Sequence, residues 1–250
     1  MRLLIIISLA IFLLSCNNLK HDKNSVAAKT TVIAIHKDTT KKVMTDTLKN
    51  EVIEEINIDV KSGFYDKSDI FSRVDDYLYE IPFDSNWAKK QIDKIYTTRL
   101  KEQSTWQPVT DFDKLAQVFD KLNTTGIIAL HNAGMSKEDG EDDCDDIHDE
   151  LLKQGIKTSG FCYYHWQDIE RVVDDGHLYI GFGDFNNNAK DAAAIGKEVA
   201  TALENKGFKL IWDKTADTRI EITNIKWRKR FGNDNCSYDW AKLLLKKTSN

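Results

Sequence analysis

Phe161-Cys162-Tyr163-Tyr164-His165-Trp166 is the stretch on which the fold turns. Alternate side chains of a strand face opposite ways, and here both alternating sets carry apolar or aromatic residues. A strand of that kind is covered on both faces, so it belongs in the middle of a sheet with helices on each side. The neighbouring residues agree. Ile127 to His131 reads as an apolar strand, and Gly134 to Gln154 as a polar loop and an acidic helix with a narrow apolar stripe of Cys144, Ile147, Leu151 and Leu152. Beyond the aromatic stretch, Asp168 to Asp174 reads as a short helix and Leu178 to Phe182 as a strand. Ala189 to Lys206 is the clearest helix, with Ala192, Ile195, Val199 and Leu203 on one face and Gly207 past its end. Phe208, Leu210 and Trp212 alternate as a strand. Ile220 and Ile222 alternate, then Ile225 and Trp227 alternate with the opposite parity, so a bulge near Thr223-Asn224 would return both sets to one face.

Upstream the period is helical. Ile70, Phe71, Val74, Tyr77 and Leu78 share one face, as do Ala88, Ile92, Ile95 and Tyr96 after a cap at Ser85-Asn86. Pro108 breaks the chain, Thr110 caps a third helix carrying Phe112, Leu115, Phe119 and Leu122, and Gly126 ends it. Ser237 to Lys247 could form a short amphipathic helix. The expected fold is α/β or α+β: N-terminal helices followed by one mixed sheet of about five strands flanked by helices. There is no internal repeat and no break between two independent cores.

The N-terminus has its own signature. Met1-Arg2 precedes an apolar run, Leu3 to Leu14, too short to span a bilayer as a helix of about 20 residues and fitting a signal-peptide core. Leu13-Leu14-Ser15-Cys16 resembles the bacterial lipobox, in which the cysteine is lipidated and the chain is cut before it; an ordinary secretory peptide with a chance cysteine is the plainer alternative. The expected organisation is a signal peptide at 1–15, lipidated Cys16 and a tether to 50, one globular domain at 51–231, and a C-terminal tail at 232–250. The implied location is the bacterial envelope, with the membrane as a partner through Cys16. Asn17, in place of the Asp that retains some lipoproteins at the inner membrane, points to the outer membrane facing the periplasm. Cys144, Cys162 and Cys236 remain, an odd count that permits at most one internal disulfide.

The formal net charge of −5 argues against nucleic acid bound by bulk charge. It is unevenly spread. Residues 17–50 hold seven Lys against three Asp, whereas Glu138 to Glu150 holds nine carboxylates in thirteen residues. That acidic run reads as a solvated face, a patch for a basic protein, or a loose Ca²⁺ site; an EF-hand alignment fails because Met135 and Lys137 would fall at ligand positions. The basic stretch Lys226 to Arg230 reads as the polar side of an edge strand.

Several spaced motifs resemble an uncharacterised bacterial family, domain-of-unknown-function 6891. They are Asn132-Ala-Gly-Met-Ser-Lys-Glu-Asp139-Gly140, then Gly160-Phe-Cys-Tyr-Tyr-His165-Trp-Gln167-Asp168-Ile-Glu170-Arg171, then Gly176-His-Leu-Tyr-Ile-Gly-Phe-Gly183. Thr110-Asp111-Phe-Asp113, Ile195-Gly196-Lys-Glu-Val, and Trp212, Arg219-Ile220 and Trp227-Arg228 add to them, so the resemblance covers about 58–230. Cys144 and Trp166 depart from the pattern, which often has an aliphatic residue and Gly or Gln there. The resemblance implies a domain boundary and a candidate site, with no activity to carry over.

The densest polar segment is His165, Gln167, Asp168, Glu170 and Arg171, where the aromatic strand gives way to a helix. Such strand ends are common ligand sites in α/β sheets. His165 could act as a general base oriented by Asp168 or Glu170; Asp168 could equally cap the helix, with Arg171 pairing across one turn. Asn132 and the loop to Asp139 follow a strand directly and could converge with His165, although Asp139-Gly140 also reads as a turn. The candidate binding residues are thus Asn132, Asp139, His165, Gln167 and Arg171. Cys144, His148, Cys162 and His165 have a zinc-like composition but none of the usual spacings. No metal or cofactor is expected, and no Walker loop, G-x-S-x-G elbow, H-E-x-x-H or Rossmann fingerprint is present. Two readings follow: a non-catalytic ligand- or protein-binding domain on an envelope lipoprotein, or a hydrolase or transferase using His165 with Asp168 or Glu170.

Overall fold

The computed structural model describes residues 43–232 and 235–247. The expected signal peptide, Cys16 and most of the expected tether lie outside the described residues. In chain order the elements are α1 (Asp46–Ser62), α2 (Lys67–Tyr77), α3 (Ser85–Gln103), α4 (Asp111–Asn123), β1 (Ile127–Leu130), α5 (Lys137–Lys153), β2 (Gly160–Tyr163), α6 (Trp166–Asp175), β3 (Leu178–Gly183), α7 (Ala189–Asn205), β4 (Lys209–Ile211), β5 (Ile220–Thr223) and α8 (Tyr238–Lys247). The sheet has five strands in the order β1-β2-β3-β5-β4. β1 and β2 run parallel across the α5 crossover, and the remaining pairs are antiparallel. The fold is therefore α/β with one mixed sheet flanked by helices.

The doubly apolar strand does what its alternation requires. Cys162 and Tyr164 join Ile127 and Ala129 under α4 and α7, while Phe161 and Tyr163 join Ile128 and Leu130 under α5 and α8. Thr110 caps α4 through a capping box with Asp113. Ile220, Ile222, Ile225 and Trp227 all face the same core, as the parity switch demanded. The means differs from a bulge within a longer strand: Asn224 takes a left-handed φ of 58°, and the ladder ends at Thr223. Residues 226–230 are consequently no edge strand. The Lys226 backbone N–H donates to Asp111, the Lys229 ammonium to the Gly63 carbonyl (2.8 Å), and Arg230 pairs with Asp113 (2.8 Å).

Two boundaries and the number of N-terminal helices change. The globular part begins with α1, capped by Thr45, several residues before Glu51. Among the described residues four helices, rather than three, precede the sheet, because α1 carries an acid, Asp59, on its buried face and so hides its period. The expected tail is part of the fold: α8 buries Ala241, Leu244 and Leu245 and packs on α4, β1 and α5, and each buried Leu is worth about 1.5–3 kcal/mol. The apolar faces of α1, α2 and α3 form a cluster of their own rather than extending a single core, since α4, α7, α5 and α8 already cover both sheet faces. α1 packs instead on α6, which closes the end of the sheet.

Candidate functional site

The parallel strands β1 and β2 end side by side, and the segments that leave them are fastened together. The Ala133 N–H donates to the Tyr164 carbonyl (2.9 Å) and the Trp166 N–H to the Gly134 carbonyl (3.1 Å). The Asn132–Asp139 loop thus runs beside His165. His131 and Tyr164 lie on the α4 side and His165 follows Tyr163 onto the other, while Asn132 takes a left-handed φ of 51° at which the strand alternation stops. His131 meets the Tyr164 hydroxyl through Nδ1 (2.7 Å) and stacks on Phe119. Burial, with help from the charge on Lys229, drives its pKa down to about 3, so it is a neutral core residue.

His165 and Asp168 are both buried. Asp168 sits at the third position of α6, and its Oδ2 accepts the His165 backbone N–H (3.2 Å). Its charged partner comes from across the sheet: Arg219, one residue before β5, donates from Nη1 to Asp168 Oδ2 (2.9 Å) and to His165 Nε2 (3.1 Å). The same Nε2 lies 3.2 Å from Asp168 Oδ2, so the carboxylate and the guanidinium meet the imidazole at one nitrogen. Burial pushes the His165 pKa below its usual value, Asp168 pulls it back, and Arg219 and Arg171 add to the fall. Arg171 does not pair with Asp168; it lies over the Tyr179 ring, 4.8 Å from its centroid. Glu170 is two residues from Asp168 on a helix, so it faces another way and does not orient His165. His165 Nδ1, Asp168 Oδ1 and Asn132 Oδ1 are buried without a hydrogen-bond partner among the described residues.

Asp139 is committed to the backbone. With Ser136 it forms the capping box of α5, and its Oδ2 accepts the N–H groups of Met135 and Ser136, each at 3.0 Å. Those bonds hold its carboxyl below the ordinary value. Asp139-Gly140 is therefore the first turn of a helix rather than a reverse turn. Gly140 is required by a close approach: a Cβ there would sit 2.5 Å from the Tyr163 ring. Gly181 meets the same ring from β3, where a Cβ would lie 2.7 Å away.

A separate cleft of about 530 Å³ opens between α1, α2 and α6. Glu170 and Gln167 line it from α6, Glu55 and Asp59 from α1, Arg73 from α2, with Val52, Val74, Tyr77 and Trp166 as apolar walls. Arg73 is held on three sides. Its Nε donates to both oxygens of the buried Asp59 (2.9 and 3.1 Å), and its guanidinium carbon lies 4.5 Å from the Tyr65 centroid and 4.4 Å from that of Trp166. Burial raises Asp59 to about 6 despite that ion pair. Burial also raises Glu55, with the charge on Glu170 adding to it, and raises Glu170 against the bond it accepts from the Trp166 indole (3.1 Å). Glu55, Asp59 and Arg73 were not among the sequence candidates. A usable signal was there: Asp59 follows Val52 and Ile56 at helical spacing, and an acid in such a stripe asks for a partner.

Residues 45–231, about three quarters of the chain, match the model of one family, described as "Domain of unknown function (DUF6891)". The chain belongs to that family. The DUF6891 match begins at the cap of α1 and ends at Phe231, so both constellations lie inside it and α8 lies beyond it. No curated protein and no solved structure matches the chain.

Elsewhere in the DUF6891 domain the candidate metal residues are otherwise engaged. Cys144 and Cys162 are buried free thiols whose pKa values burial raises, which leaves them unreactive. His148 stacks on Phe185 and meets the Thr158 hydroxyl. Among the described residues no group of three His, Cys, Asp or Glu side chains is placed to hold a metal ion. On α5, Asp143 takes the Tyr238 hydroxyl and Glu150 pairs with Lys242, while Asp142, Asp145, Asp146 and Asp149 stand on the side away from the buried Cys144, Ile147 and Leu151.

Proposed function

We propose that the protein is a lipid-anchored component of the bacterial envelope, held through Cys16 at the outer membrane and facing the periplasm. In this reading its DUF6891 domain is a non-catalytic binding module whose ligand enters the cleft between α1, α2 and α6. The supporting observation is the contrast between the two polar sites. His165 and Asp168 are buried and bonded to Arg219, with the basic nitrogen Nε2 already occupied. Glu55, Arg73 and Glu170 instead line an open cleft of about 530 Å³, within the range of known ligand pockets.

A hydrolase or transferase reading keeps one observation in its favour: the unbonded Nδ1 of His165 and Oδ1 of Asp168 beside the Asn132–Asp139 loop. One experiment separates the two. A small-molecule thermal-shift screen is run on the natural chain, on His165→Asn, and on Gln167→Trp, which fills the cleft from an exposed position. Stabilising compounds that survive His165→Asn and fail with Gln167→Trp support the binding module. Compounds that survive Gln167→Trp, or that the natural chain turns over and His165→Asn does not, overturn it. The anchor is tested separately by detergent-phase partition of the natural chain and Cys16→Ala, which should move to the aqueous phase.

A further inference from the structure

We propose that the cleft takes a ligand bearing both an ammonium and a carboxylate on a short apolar stem, the chemistry of a basic amino acid. This rests on the reading of the cleft as the ligand site. Arg73 supplies the first half. Its Nε is occupied by Asp59 and its flat faces by Tyr65 and Trp166, yet Nη1 and Nη2 donate no hydrogen bond to any described residue, and the side chain keeps 29% of its exposure. A guanidinium fixed in this way offers a preorganised fork that fits a carboxylate in two parallel bonds.

The second half is the pair of carboxylates. Glu55 makes no hydrogen bond or ion pair with a described residue, and Glu170 has only the Trp166 indole on one oxygen. Both are partly buried, and the charge on Glu170 raises the affinity of Glu55 for a proton. An ammonium between them would relieve that repulsion without requiring a proton. Val52 and Val74 on the facing helices give the stem an apolar wall. The charge balance selects among ligands. Glu55, Asp59, Asp76 and Glu170 outnumber Arg73, so a dicarboxylate or phosphate is repelled, while a bare diamine leaves the fork unanswered.

The test is calorimetric titration of the full chain with L-lysine, cadaverine and hexanoate, together with the NMR signal of the Trp166 indole N–H. Lysine should bind, and cadaverine, which lacks the carboxylate, and hexanoate, which lacks the ammonium, should each be weaker by roughly tenfold or more. Glu170→Gln, which keeps an acceptor for Trp166, and Glu55→Gln should each weaken lysine by about tenfold. Cadaverine or hexanoate equal to lysine, or no binding of lysine, overturns the proposal. If neutral fragments shift the Trp166 signal while lysine does not, the ligand class is wrong and the cleft stands as a site. If no compound moves that signal, the cleft reading fails as well.

Discussion

Replacing Arg219 by Met removes the guanidinium and keeps most of the stem, which isolates the ion pair that joins the sheet to α6. Asp168 is left with a side chain 1% exposed, the His165 backbone N–H on Oδ2 and the His165 Nε2 3.2 Å from the same oxygen. Stranding a fully buried carboxylate costs about 3–5 kcal/mol, whereas losing an exposed ion pair costs about 0–1 kcal/mol. Arg219 itself is 28% exposed, so the pair sits nearer the buried limit. The expected loss at pH 7 is about 2–4 kcal/mol. Urea unfolding of the natural chain and Arg219→Met at pH 7 measures it. A loss below about 1 kcal/mol refutes the argument.

Asp59 should give the natural protein a stability that declines with rising pH. Its folded pKa of about 6 lies above the unfolded value, so its contribution is complete below pH about 4 and is lost as the pH rises through 6; Asp59→Asn should flatten that interval in urea titrations. Gly181→Val drives a Cβ to within 2.7 Å of the Tyr163 ring and should cost about 1–3 kcal/mol, with part of the loss recovered in a Gly181→Val/Tyr163→Ala double variant; additive losses would show that the ring is not the obstacle. On α5, changing Asp142, Asp145, Asp146 and Asp149 to Asn should abolish capture of a polylysine peptide or weak Ca²⁺ uptake without lowering Tm, since burial and like-charged neighbours already raise the Asp145 carboxyl. Undiminished capture would remove that face from consideration as a partner surface.

Much of the fold was legible because its signals are local. The aromatic stretch at 161–166 announced a doubly covered strand, Thr110 with Asp113 announced the start of α4, and the parity switch near Asn224 announced that Ile225 and Trp227 return to the core. α1 was missed because Asp59 interrupts its apolar face and Lys49 and Glu51 resemble the polar segment before it. The candidate site was only partly legible, because its contacts are distant in sequence. Arg219 reaches Asp168 over a separation of 51 residues, a contact that only the register of β3 with β5 creates. The cleft needs the mutual placement of α1, α2 and α6, which no periodicity encodes. That Asp168 and Glu170 could not both face His165 was readable in advance, since residues two apart on a helix do not share a face.

The segment that follows Asn224 has a consequence for the order in which the chain can fold. The Trp227 indole reaches the Ser62 carbonyl across 165 residues, Lys229 reaches Gly63 across 166, and Phe231 stacks on Tyr96. The N-terminal helices therefore receive their last partners from nearly the opposite end of the chain. Closing loops of that length is slow, because the entropy of bringing the ends together must be overcome before the contacts form. While residues 225–231 are still emerging from the ribosome, α1, α2 and α3 can be helical yet lack their clasp. A chain with this wiring completes its fold late and as one piece, and truncation before Trp227 should leave the helical third open to proteases even where its own sequence is intact.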